Sequence, residues 1–173
     1  TCRRQRQMCI RDSDRLEIGK KLGADFVLNV KEENDIVNSV KSLVGDLGVD
    51  YVVECAGTEK ALDNAIMMTN RGGKICLAAF PHDPIKVNIP HMVINNIYMY
   101  GIRGEGKSAT HRAMAFMKQK RFNAKLVHTH TFKMNELPTA LKYAKERIDG
   151  AIKVVIKPLS LIHISEPTRP TDI

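Results

Sequence analysis

Apolar and polar positions alternate along this chain in two rhythms, one near 3.6 residues and one of two, that take turns from end to end. Arg15–Leu22 has helical spacing and stops at Gly23, a residue suited to closing a helix. Phe26–Asn29 reads as a short strand. Asp35–Val44 sets Ile36, Val37, Val40, Leu43 and Val44 on one stripe, the mark of an amphipathic helix, and Gly45 ends it. Tyr51–Val53 is a strand, TEKALDNAIMMTN an amphipathic helix, Gly72-Gly73 a turn, and Lys74–Ala79 a second strand. Both strands are almost continuously apolar, the composition of strands covered on both faces in a parallel sheet. A connection punctuated by Pro81 and Pro90 leads to a short helix near His91–Asn95, then a strand at Ile97–Ile102 and a helix at Ser108–Gln119. Leu126–Phe132 is extended, Leu137–Arg147 helical and Ala151–Ile156 a last strand. Strands alternating with helices imply right-handed crossovers, and hence an α/β fold with a doubly wound parallel sheet.

Small residues stand at the C-terminal ends of two strands: Ala56 and Gly57 after the first, Ala78 and Ala79 after the second. Ligands of open α/β sheets lie at that edge, and small side chains let a flat cofactor approach the backbone. The stretch from Asp50 to Phe80 therefore reads as half of a dinucleotide site.

The two ends of the chain have a different character. Arg3–Ser13, RRQRQMCIRDS, and Leu159–Arg169, LSLIHISEPTR, resemble translated sequencing-library adapters of the transposase type. On that reading residues 1–13 and 159–173 stand outside the fold, and the message runs from Asp14 to Pro158. The charge changes accordingly. The first thirteen residues hold four Arg and one Asp, and the last fifteen hold one Arg, one Glu and one Asp, so the formal charge falls from +8 to +6. Cys2 and Cys9 go as well. Cys55 and Cys76 remain as isolated thiols on apolar strands, which suggests a reducing, cytoplasmic setting and not a disulfide framework. No apolar run approaches the ~20 residues that span a bilayer.

From Asp14 to Pro158 the chain resembles the C-terminal part of a zinc-dependent medium-chain dehydrogenase/reductase, of the alcohol, sorbitol and threonine dehydrogenase type. Four stretches in order carry the resemblance: RLEIGKKLGADFVLN, DYVVECAG…ALDNA, RGGKICLAAFP and THTFKMNELPTALKYAKERIDGAIKVVIKP. It implies a partial Rossmann-type sheet over residues 14–121, the C-terminal portion of a dinucleotide-binding domain. Residues 122–158 would be a helix and strand returning to a catalytic domain that the chain lacks.

The resemblance also implies roles. Arg15 matches a basic residue that contacts the adenosine ribose, against the plainer reading of a solvated helix residue. Cys55, Ala56 and Gly57 match the loop beside the adenine-side ribose. Ala78, Ala79 and Phe80 match the turn whose backbone meets the nicotinamide carboxamide, and Ile102, Arg103 and Gly104 the next loop on that side. Lys153 matches a basic residue near the pyrophosphate, where a point charge stabilises phosphate oxygens; its plainer reading is a polar residue on a half-buried strand.

Departures from the family matter equally. The Gly-rich turn that seats the pyrophosphate on a helix N-terminus would lie before Asp14. Ile10 occupies the place of the acidic residue that grips the ribose hydroxyls, so NAD and NADP both stay open. The zinc ligands also belong upstream, so catalytic and metal residues are expected to be none here, and the chain is expected to be inert alone. Other groupings look plain. His128 and His130 could share a strand face as a metal pair, but no third ligand stands at metal spacing. GIRGEG lacks the order of a phosphate loop. Met67, Met68, Met114 and Met117 read as core filler, and Lys118–Arg121 as a basic run at a helix end.

The expected function is thus part of an NAD(P)-dependent, zinc-requiring oxidoreductase that passes a hydride between nicotinamide and a small alcohol or polyol. A zinc-free, quinone-reductase-like member of the superfamily is the alternative. A basic module that binds nucleic acid is the third reading, but it loses half its support with the Arg-rich leader and shows no stacking platform. A homodimer or homotetramer is implied by the family, whose strand matching Ile97–Tyr100 pairs with its twofold mate; neither nucleic acid nor membrane is expected as a partner.

Overall fold

Three of the described α-helices begin where a side chain takes up an unpaired N–H of the first turn. In the computed structural model, which describes residues 7–10, 13–103, 108–119 and 123–158, α2 (Ile36–Val44) opens at Asp35, whose Oδ1 accepts the Asn38 N–H at 3.0 Å. The helix α3 (Glu59–Met68) opens at Thr58, whose hydroxyl accepts from the Ala61 N–H at 3.3 Å. The third, α4 (Ile89–Ile94), opens at Asn88. Such caps satisfy orphan donors of the first turn. The chain divides into two units, Thr1–Phe122 and Asn123–Ile173.

In the first unit β1 (Gln7–Ile10) leads into α1 (Ser13–Lys21) and β2 (Phe26–Asn29), and β1 and β2 pair in parallel from Gln7↔Phe26 to Ile10↔Asn29. Four of the residues expected to stand outside the fold, Gln7–Ile10, thus pair as a strand here. A ladder is built from backbone groups, so a short stretch free of Pro and Gly is enough to add a strand.

After α2 the chain forms β3 (Val49–Glu54), α3, β4 (Thr69–Leu77), α4 (Ile89–Ile94), β5 (Tyr98–Gly101) and α5 (Ala109–Lys118). The order β3-β4-β5 is parallel throughout, with Tyr51↔Lys74↔Tyr98 and Val53↔Cys76↔Tyr100 in register. Gly72 and Gly73 do not form a turn before β4, as expected, but lie inside it, where the register between Val49↔Thr69 and Tyr51↔Lys74 jumps. A Cβ on Gly73 would stand 2.6 Å from the Thr69 methyl carbon, so the strand can fold over itself there only without a side chain.

The core lies on one face of this sheet. Leu62, Ala65 and Ile66 of α3 pack on Ile75 and Ile97, with Ile66 and Ile75 fully buried. The other face differs from the expectation of two-sided cover: Tyr51, Val53, Tyr98 and Tyr100 are exposed. The helix α5 carries no buried residue, so Met114 and Met117 are exposed and do not fill a core.

The second unit holds β6 (His128–Lys133), α6 (Leu137–Glu146) and β7 (Lys153–Lys157), the two strands parallel. An irregularity between His128 and His130 frees Thr129, whose hydroxyl accepts the Ile152 N–H at 3.0 Å and donates to the Lys153 carbonyl at 3.3 Å. Pro138 sits in the first turn of α6, where no N–H is needed. Among the described residues no helix is long and apolar enough to cross a membrane.

Candidate functional site

Parallel strands end on the same side, so β3, β4 and β5 deliver Cys55–Gly57, Ala78–Phe80 and Ile102–Arg103 to one edge. Contacts then join the three loops. Gly57 has φ +68°, and a Cβ there would stand 3.1 Å from the Ala79 Cβ and 3.6 Å from the Pro81 nitrogen. The first loop thus lies directly against the second. The Ile102 N–H donates to the Leu77 carbonyl at 3.0 Å, which holds the third loop to the end of β4. The Arg103 guanidinium stands over the Phe80 ring with its carbon 6.0 Å from the centroid, the outer reach of a cation–π contact.

One residue that the sequence reading passed over ties the first two loops together. Glu54, the last residue of β3, is only 7% exposed. Its Oε1 accepts the Ala56 N–H at 2.7 Å and the Gly57 N–H at 3.0 Å, and its Oε2 approaches the Gly57 N–H at 3.2 Å. Its main-chain carbonyl accepts from Ala78 at 2.8 Å and Ala79 at 3.2 Å. Burying a carboxylate is costly unless it is fully hydrogen-bonded, and here the loops supply the donors. An acidic residue closing an apolar strand just before a small-residue loop was the available signal.

The hydrogen bonds decide what the edge can offer a ligand. Four backbone donors, at Ala56, Gly57, Ala78 and Ala79, are engaged by Glu54. Among the described residues no backbone or side-chain acceptor takes the Phe80 N–H, so it is the donor the second loop still presents. Cys55, Ala56, Ala78, Phe80, Ile102 and Arg103 are all exposed, a ledge of small and apolar groups open to solvent. Cys55 and Cys76 are free thiols. Desolvation, then the Glu54 carboxylate and Cys76, raise the Cys55 thiol above its ordinary value, so less of it is thiolate at any given pH.

The other expected site residues belong to other elements. Arg15 is half-buried in the first turn of α1, at the end where β1 delivers the chain. Lys153 opens β7 in the second unit, exposed and in register with His128. Gly104 lies outside the described residues. His128 bonds the Thr131 hydroxyl at 2.8 Å, while His130 packs between Phe132 and Tyr143 with ring centroids 6.4 and 5.3 Å away. The two imidazoles therefore have separate partners. Among the described residues no three His, Cys, Asp or Glu side chains form a group that could hold a metal ion, so the residues here do not fit a zinc site. A cavity of about 590 Å³ opens elsewhere, between Glu59, Lys60 and Asp63 of α3 and Lys86–Asn88.

Comparison with known proteins agrees with this architecture. The zinc-binding dehydrogenase family matches residues 9–119. A sorbitol dehydrogenase of Bacillus subtilis (strain 168) is 29% identical over 145 residues, 83% of this chain and 40% of the relative. An alcohol dehydrogenase from Thermotoga maritima superposes with a TM-score of 0.80 at 23% identity, covering 90% of this chain and 44% of that one. A protein from Sinorhizobium meliloti 1021, solved with NADP bound, gives 0.77 at 18% identity over 88% of this chain and 42% of its own. These likenesses establish the Rossmann-type α/β fold, and the chain spans about 40% of the length of the curated relative it matches. By its fold and by a family match over well more than half its residues, the chain belongs to the zinc-binding dehydrogenase family.

Proposed function

We propose that this chain supplies part of the cofactor site, including its nicotinamide side, of an NAD(P)-dependent dehydrogenase acting on a small alcohol or polyol. The observation that carries the reading is the joining of three parallel strand ends into one exposed ledge, with Gly57 against Ala79 and Glu54 bonded to both loops. A carboxamide needs donors and acceptors side by side; the Phe80 N–H supplies a donor, and the loop carbonyls supply acceptors. The apolar bodies of Phe80 and Ile102 shield one face of a ring. A bound nicotinamide supplies the hydride chemistry itself, and the residues here bind and orient it. Arg15 is proposed to meet the ribose and Lys153 the pyrophosphate. The alcohol-activating zinc belongs to the part of the relatives' length that this chain does not span.

Sorbitol and alcohol dehydrogenases among the relatives support alcohols or polyols as the substrate class, and the NADP-bound neighbour supports a nicotinamide cofactor. An assembly through the open edge of β5, as a homodimer or homotetramer, is the proposed quaternary state. The test is an amide-resolved NMR titration of the chain with nicotinamide mononucleotide. Shifts centred on Ala78–Phe80 and Ile102–Arg103 are expected, and shifts centred on another surface would sink the reading. The chain alone should oxidise no alcohol; measurable turnover would place catalytic residues within it.

A further inference from the structure

We draw no further inference here: the strongest candidate, the open face of the β3-β4-β5 sheet on which Tyr51, Val53, Tyr98 and Tyr100 are exposed, carries none, because nothing in the structure shows what covers it.

Discussion

The two faces of the β3-β4-β5 sheet are built from the same three strands and have opposite fates. Val52, Ile75, Leu77 and Met99 point to α3 and form the core, with Ile75 fully buried. Tyr51, Val53, Tyr98 and Tyr100 point the other way, and between 42% and 63% of each is exposed. Composition does not fully separate them, since the open face adds only Lys74 and tyrosine hydroxyls to an otherwise apolar set. Position in the sheet does. Cys76 belongs to the open face by alternation yet is only 5% exposed, because it sits on the central strand between Val53 and Tyr100. The lesson is that a strand's apolar character reports what it is suited to pack against, while cover depends on which helices reach it.

Substitution on opposite faces tests this contrast most strongly. Ile75→Ala should cost about 2–5 kcal/mol, the range for emptying a filled core position. Val53→Ala, one strand away on the open face, should cost no more than about 0.5 kcal/mol, as surface changes do. Chemical denaturation of both variants measures it. A large loss for Val53→Ala would mean that the open face is covered in solution.

A smaller effect separates the ligand edge of the sheet from the open strand position at Gly72. Gly57 and Gly72 both have φ near +70°, at +68° and +74°, so an added methyl strains the backbone alike at each. Only Gly57 has a neighbour in the way, the Ala79 Cβ at 3.1 Å, whereas Gly72 has open space. Gly57→Ala should therefore cost about 1–3 kcal/mol and exceed Gly72→Ala in the same melts. It should also shift the amides of Ala79 and Phe80. Equal losses would show that the loops do not touch.

The smallest expected effect reads the charge at that edge. Burial first, and the Glu54 carboxylate second, raise the Cys55 thiol, so less thiolate is present at any given pH. The pH profile of Cys55 alkylation by iodoacetamide should inflect above that of a free cysteine peptide. Glu54→Gln removes the charge and should lower the inflection part of the way, leaving the effect of burial. An unchanged profile would mean that the carboxylate does not act on its neighbour.

Much of this molecule is written in local pattern. Asp35, Gly45 and Thr58 mark helix ends because capping needs only one side chain and the next three residues. The strand–helix alternation follows from periods that each segment carries by itself, and the placing of small residues after β3 and β4 located the ledge. Other features are not local. Gly72 and Gly73 resemble a turn, and only the pairing of β4 with β3 places them inside a strand. The pairing of Gln7–Ile10 with β2 rests on backbone groups that every residue possesses. Glu54 could be read as an acidic residue near a loop, but its bonds to Ala56 and Gly57 depend on burial, and its carbonyl's bonds to Ala78 and Ala79 depend on a neighbouring strand. The sequence by itself determined the elements, their order and the α/β class, because periodicity and caps act over a few residues. Tertiary structure alone decided which sheet face is covered, which loops meet and which backbone donors remain for a ligand, because those depend on groups that approach only after strands far apart in the chain have paired.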